Sequence, residues 1–163
     1  MNIQQQIQNK IFSRNELIKQ VEVWKSAKNK IVFTNGCFDI IHPGHVMYLI
    51  KAAELGNKLI IGLNTDSSVS RLKGPTRPVL QEKERALLLA AFQFIDAVCL
   101  FEEDTPYNLI KQIMPDVLVK GKDYKVEQIA GSDIVLQNGG KVETIDLVDG
   151  FSTTNLIDKI KKM

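Results

Sequence analysis

Asn35-Gly36-Cys37-Phe38-Asp39-Ile40-Ile41-His42-Pro43-Gly44-His45 decides the reading of this chain, because a strand-like run leads into it and an amphipathic helix leaves it. Ile31-Val32-Phe33, which follows Lys30, is the short β-branched and aromatic run of a buried strand. Gly36 makes the turn. Pro43 suits a first helical turn, where its missing N–H costs nothing, and Val46, Leu49, Ile50 and Ala53 then recur at helical spacing. His42 and His45 therefore flank a helix N-terminus, whose unpaired N–H groups and positive dipole end attract phosphate. Gly44, between them, has no side chain to keep a ligand off the backbone. A cap, a surface histidine or half of a zinc site are the competing readings. The metal reading is the weaker, because the chain holds two His only and Cys37 and Cys99 are far apart in sequence.

Outward from that stretch, 163 residues fit one domain with a proper core. Apolar residues at 44% and charged residues at 25% are ordinary for a globular protein and argue against disorder. A formal charge of +2 is too small to argue for nucleic acid or an anionic membrane as partner, so any basic site must be local. Two Cys cannot build a disulfide framework, and nothing resembles a signal peptide or a run of about 18 apolar residues. The cytoplasm, with both thiols reduced, is the expected compartment.

Strands and helices alternate along the chain, which predicts an α/β fold with a five-stranded parallel sheet covered by helices on both faces. Residues 1–28 read as an N-terminal helical extension and residues 29–163 as the main domain. The first ten residues, rich in Gln and Asn, are expected to fray. Ser13-Arg14-Asn15-Glu16 has capping-box spacing and starts a helix to about Ala27. Lys58–Asn64, Ala97–Leu100, Asp116–Val119 and Lys141–Ile145 read as the further strands. Helices are predicted over Glu82–Phe92, from Thr105-Pro106 through Ile113, over Ile129–Gln137 and over Ser152–Ile160. Residues 65–80, with Ser, Gly, Pro and three basic residues, read as a loop at the C-terminal end of a strand, where ligands of open α/β sheets bind.

Gly36 to His45, as Gly-x-Phe-Asp-x-x-His-x-Gly-His, resembles the signature of the nucleotidyltransferase superfamily of glycerol-phosphate cytidylyltransferases, pantetheine-phosphate adenylyltransferases and class I aminoacyl-tRNA synthetase cores. Arg71-Leu72-Lys73-Gly74-Pro75-Thr76-Arg77-Pro78-Val79 looks like the corresponding stretch of the heptose 1-phosphate adenylyltransferases that make ADP-heptose. Leu118–Tyr124 and Asp149–Thr154 agree with it, in the same order along the chain. The resemblance implies a Rossmann-like nucleotidyltransferase fold and the joining of ATP to D-glycero-D-manno-heptose 1-phosphate, with release of pyrophosphate, in assembly of lipopolysaccharide or surface glycan precursors. A cytidylyltransferase of the glycerol-phosphate type is the alternative. It is weakened where that branch carries arginines and this chain has Leu147 and Gln93.

Nucleotidyl transfer needs positioning and charge stabilisation rather than a covalent nucleophile. The resemblance assigns His42, His45 and Lys73 to the chemistry. Lys73 suits the triphosphate because a flexible ammonium can follow charge as it moves to pyrophosphate. Asn35, Gly36, Cys37, Phe38, Gly44, Lys120, Gly121, Asp123, Phe151, Ser152 and Thr153 would complete the nucleotide site. Asp39, Asn64, Arg71, Arg77 and Arg85 would serve the sugar phosphate. From the residues alone, Asp39 could equally cap a turn, Arg85 could be an exposed ion pair beside Glu82, and Ser152-Thr153-Thr154 could be an N-cap cluster. Magnesium is expected with ATP, and no dedicated metal-ligand cluster is visible. No nucleic acid or membrane partner is expected. Related enzymes are often dimers, so a homodimer is compatible. Some relatives carry a sugar kinase on the same chain; this length leaves no room for one, so a separate heptose kinase would act upstream. A non-catalytic nucleotide sensor is the reading from another class, opposed by the intact His42, Gly44, His45 and Lys73.

Overall fold

A computed structural model describes all of residues 1–163. In chain order the elements are α1 (Ile3–Gln8), β1 (Ile11–Phe12), α2 (Arg14–Ser26), β2 (Ile31–Gly36), α3 (Pro43–Ala53), β3 (Lys58–Asn64), α4 (Asp66–Lys73), α5 (Glu82–Ala90), β4 (Ala97–Phe101), α6 (Tyr107–Ile113), β5 (Val117–Gly121), α7 (Ser132–Gln137), β6 (Lys141–Ile145) and α8 (Thr153–Lys161), with a 3-10 turn at Val126–Gln128 before α7. The strands form one parallel sheet in the order β1-β4-β3-β2-β5-β6.

The strands are apolar on both sides because helices cover both faces. Val32, Leu59, Ile61, Leu63, Val98 and Val119 join Leu49 and Ala52 of α3 and Ala86, Leu89 and Ala90 of α5 in one core. The alternate residues Ile31, Phe33, Ile60, Cys99, Phe101 and Leu118 pack with Leu17 and Val21 of α2, Leu109, Ile110 and Ile113 of α6, and Val135 of α7.

The sheet has six strands, not the expected five, because Ile11 and Phe12 pair with Val98 and Cys99. Two residues are too few to show strand alternation; the exposed edge of β4 supplies the order. Nor do the first ten residues lack structure. The Asn2 side chain accepts from the Gln5 amide at 2.8 Å and caps α1, and Ile7 leans on the core of the α3 and α5 face. The predicted box at Ser13 forms, with Glu16 accepting from the Ser13 amide at 3.0 Å.

Residues 65–80 are not all loop. Thr65 caps α4 by accepting from the Ser68 amide, and Gly74 at φ 101 ends it. Ser-rich composition hid this helix, which Val69, fully buried, anchors to the sheet. Similarly, the helix expected from Ile129 starts only at Ser132, after Gly131 turns the chain at φ 85. Thr105 does not cap the next helix; Pro106 holds the N-cap position of α6, with no side-chain cap.

From β2 the chain steps outward to β3 and β4 on one side of the sheet, and later from β5 to β6 on the other. The order reverses between β2 and β5, and in open α/β sheets the crevice at the C-terminal ends of such strands takes the ligand. Gly36, at the end of β2, opens that crevice.

Candidate active site

His42 is the N-cap of α3, with Pro43 at the first helical position. Its Nδ1 accepts from the His45 amide at 3.3 Å, which leaves the proton of the neutral ring on Nε2. The two imidazoles stack at 3.7 Å between centroids and 20° between planes. Phe38 meets His45 edge-on at 5.3 Å, and Phe151 lies parallel to His42 at 6.2 Å. Burial pushes the His45 pKa down to about 4, helped by the nearby His42 and opposed by the Ile40 backbone. Burial also lowers that of His42. Both rings are therefore neutral near pH 7 and available as hydrogen-bond donors rather than cations. His45 Nδ1 is buried with no hydrogen-bond partner in the protein.

Local backbone geometry makes room for this stack. Phe38 adopts φ 44, a region that costs a non-glycine residue energy, and its ring is 94% buried in the core beneath the loop, at 6% exposure. A Cβ on Gly44 would meet both the His42 ring and Phe151 Cβ at 3.0 Å, so any larger residue would press the stack and the C-terminal segment apart by a few tenths of an ångström.

These rings face a cavity of about 650 Å³ at the strand ends. Every residue expected at the nucleotide lines it: Asn35, Gly36, Cys37, Phe38, His42, Gly44 and His45 from the β2–α3 loop, Lys73 from the end of α4, Lys120, Gly121 and Asp123 from the end of β5, and Phe151, Ser152 and Thr153 before α8. Lys120 Nζ donates to the Asn35 carbonyl at 3.3 Å and sits 5.1 Å from the Tyr124 ring centroid. Burial lowers its pKa, with Cys37 and Asp123 acting against the drop. Burial raises the Cys37 thiol, so it is neutral and unreactive near pH 7. Lys73 is exposed, an arm free to move.

The residues expected at the sugar phosphate divide. Asn64, Asp39 and Arg77 line the cavity; Arg71 and Arg85 do not. Asp39 is 2% exposed and accepts from Arg77 Nε at 2.6 Å, the Val79 amide at 2.9 Å and the Leu80 amide at 2.9 Å. Burial alone would raise its pKa, but the Leu80 and Val79 amides and the Arg77 guanidinium together hold it below the usual carboxylate range. Asp39 thus pins the 77–80 segment and presents Arg77, whose terminal amino groups make no hydrogen bond within the protein.

Arg85 corrects both expectations made for it. It is fully buried and neither pairs on the surface nor reaches the cavity. Its guanidinium donates to the carbonyls of Leu80 at 3.0 Å, Cys37 at 2.7 Å and Asn64 at 2.8 Å, and to the Asp66 carboxylate at 2.7 Å. It ties together three segments that frame the site. Arg71 likewise does not line the cavity: it donates to Asp104, which does, at 3.0 Å, and to the Glu102 carbonyl.

Ser152 caps α8 by accepting from the Asn155 amide at 3.0 Å. The cap reading of that cluster and its place in the cavity wall hold together. Sequence reasoning missed Tyr48, Asp104, Thr105, Tyr124 and Val148, which also line the cavity, as does Leu147. Asp104 and Thr105 carried a signal, since they follow a strand of a parallel sheet at its ligand-binding end. Tyr48 gave none: it looks like one more apolar-face residue of α3, and its hydroxyl bonds Thr34 at 2.7 Å.

Residues 33–157 match a family model described as cytidylyltransferase-like. The bifunctional protein HldE of Syntrophotalea carbinolica is 54% identical over 152 residues, 93% of this chain and 31% of that protein. The bifunctional protein HldE of Caulobacter vibrioides is 55% identical over 151 residues, again 93% and 31%. The chain therefore spans about a third of the length of these curated relatives. Among solved structures, a lipopolysaccharide core biosynthesis protein from Thermoplasma volcanium GSS1 aligns with a TM-score of 0.58 at 24% identity, covering 74% of this chain and 97% of that one. That last likeness concerns the fold.

Proposed function

The chain belongs to the cytidylyltransferase-like family, and we propose that within it the chain is an adenylyltransferase, joining ATP and D-glycero-D-manno-heptose 1-phosphate to give ADP-heptose and pyrophosphate. One observation carries this reading. The four segments that resemble the heptose 1-phosphate adenylyltransferases, around residues 36–45, 71–79, 118–124 and 149–154, are far apart in sequence and all contribute to one cavity. A nucleotide-binding protein without catalysis would keep the same cavity, so pyrophosphate release in the assay below is what separates the two.

In this reading the sugar phosphate oxygen attacks the α-phosphorus, a new P–O bond forms, and the bond to pyrophosphate breaks. Neutral His42 and His45 donate N–H groups to the phosphate oxygens, where the amides at the start of α3 add fixed partial positive charge. Donation from neutral rings suits a site that must also release a highly charged product. Lys73 follows the negative charge onto the leaving pyrophosphate, and Arg77, steered by Asp39, meets the acceptor's phosphate. Ser152 and Thr153 hold the nucleotide from the opposite side. Magnesium would accompany the triphosphate and neutralise its charge. Its ligands would be mostly phosphate oxygens and water, and Asp123 is the carboxylate of the nucleotide side of the cavity able to assist.

No helix is long and apolar enough to cross a membrane. A cytoplasmic location, a homodimer, and a kinase activity that phosphorylates the sugar beforehand complete the proposal. Incubation of the purified protein with magnesium, ATP or CTP, and either heptose 1-phosphate or glycerol 3-phosphate tests it. Pyrophosphate release and an ADP-heptose mass are expected with the first pair; turnover with CTP alone would overturn the reading. The absence of an arginine at Leu147, which borders the cavity, favours ATP.

A further inference from the structure

We propose that the turn between β4 and α6, Glu102–Pro106, is the wall that selects the acceptor: Asp104 and Thr105 take sugar hydroxyls, and Arg14 holds that wall in place from the N-terminal segment. This rests on the adenylyltransferase reading and adds the residues that would recognise the non-phosphate end of the substrate.

Topology separates the two substrates. Apart from Lys73 at the end of α4, the nucleotide-side residues leave β2, β5 and the start of α8, whereas Asn64, Asp104, Thr105 and Pro106 line the cavity from the ends of β3 and β4. β4 lies two strand spacings from β2, roughly 10 Å, about the reach of one sugar ring from a phosphate held at the β2–α3 loop. Arg77 stands on the phosphate side of this space. Beyond it the one carboxylate of this turn at the cavity is Asp104, whose Oδ1 is taken by Arg71 while Oδ2 accepts nothing in the protein, so this end of the cavity suits a group that donates hydroxyl hydrogen bonds. Asn64, only 3% exposed, donates to Ser68 Oγ at 2.9 Å and keeps its amide oxygen without a protein donor. Thr105 is released for binding because it does not cap α6.

The turn is held far more firmly than a surface loop requires. Arg14 grips Glu103 through two N–H groups at 2.8 Å each. Arg71 takes Asp104 and the Glu102 carbonyl, and Ser68 Oγ donates to the Glu103 carbonyl at 3.2 Å. The Arg71–Asp104 pair is largely exposed, at 47% and 70%, so it adds little stability. Its effect is to orient a carboxylate at the cavity rim. Arg14 and Glu103 are about one-third exposed, and the side-chain hydrogen bond from Arg14 holds the Glu103 carboxyl down at about 2. Arg14 is thus a positioning residue, and it gives the N-terminal segment a part in substrate choice.

Steady-state assays with ATP and D-glycero-D-manno-heptose 1-phosphate test this. For Asp104→Asn we expect the acceptor KM to rise about tenfold or more, with the ATP KM within twofold of wild type. Thr105→Val should act in the same direction, less strongly. Arg14→Ala should raise the acceptor KM severalfold with a melting temperature near that of wild type, and the exchange Arg14→Glu with Glu103→Arg should restore it. The proposal is overturned if Asp104→Asn leaves the acceptor KM unchanged, or if both KM values rise together. A wild-type protein that turns over only glycerol 3-phosphate would instead sink the heptose reading, and the same KM split would then be measured on that acceptor.

Discussion

Two walls of the same cavity are built in opposite ways. The β2–α3 loop is fixed from beneath: Phe38 is buried, the Cys37 carbonyl is held by Arg85, and the Asp39 carboxylate takes donors from three residues. The C-terminal segment from Asp146 to Phe151 is exposed throughout, and α8 buries no residue at all. Its surface tie, Lys122 to Asp146, joins side chains 65% and 70% exposed and contributes little. Groups that must meet a phosphorus centre need fixed geometry, and burial with satisfied hydrogen bonds provides it. A wall that in the proposed reaction admits and releases a nucleotide needs to move. The loop is therefore held before ligand arrives, and the C-terminal segment has few contacts of its own to hold it.

The sharpest way to break this contrast is to disturb the fixed wall. His45→Ala should lower kcat by about 10²–10³-fold, read as pyrophosphate release, since one donor to developing charge is lost. A smaller loss, near twofold, would mean that the ring is only packing.

Arg85→Met should cost about 3 kcal/mol of unfolding free energy in urea titrations, because it strands three carbonyls and the Asp66 carboxylate. Such a variant should lose acceptor and nucleotide binding together, unlike variants of the acceptor wall. If its stability matches wild type, the buried guanidinium is not what frames the site.

Acidification probes the same wall. His45 is held neutral in the fold down to about pH 4 but gains its proton near the ordinary value when unfolded. Stability contributed by keeping this ring neutral is intact above about pH 6.5 and declines as pH falls from there to about 4, by on the order of 2 kcal/mol after allowance for partial exposure. His45→Gln should flatten that part of the pH–stability curve, measured by chemical denaturation at each pH.

The yielding wall gives the smallest effect. Ser152→Ala removes a cap worth about 1 kcal/mol to α8 and should raise the ATP KM severalfold with little change in melting temperature. Hydrogen exchange sharpens the comparison further: amides of residues 146–161 should exchange faster than those of residues 36–49 and slow when ATP is added. Equal protection of both segments in the free protein would erase the distinction.

Much of the site was legible because its chemistry is local. The strand, glycine turn, paired histidines and helix start at residues 31–50 stand in one short stretch, and each follows from residue type and spacing. The parallel sheet with two covered faces followed from alternation of elements. What escaped was shorter or less apolar than such patterns can register: the two residues of β1, which pair with the distant β4, and the short α1 and Ser-rich α4, each started by a local cap.

The basic residues show the boundary most clearly. From sequence, Arg71, Arg77 and Arg85 were three equivalent cations in and beside one loop. In the fold Arg77 faces the cavity beside Asp39, 38 residues away; Arg85 is sealed under the Cys37 carbonyl, 48 away; and Arg71 meets Asp104, 33 away. Arg14, unremarked in the sequence beyond its capping box, finds Glu103 across 89 residues. Residue type and short-range spacing alone determined the strand, glycine turn and histidine-capped helix that the proposal makes the phosphate site, because helix ends and glycine turns carry their own dipoles and backbone freedom. Only the tertiary structure decided which charges face the cavity and which tie the frame, because a guanidinium's place depends on which carbonyls and carboxylates the fold brings within hydrogen-bonding reach.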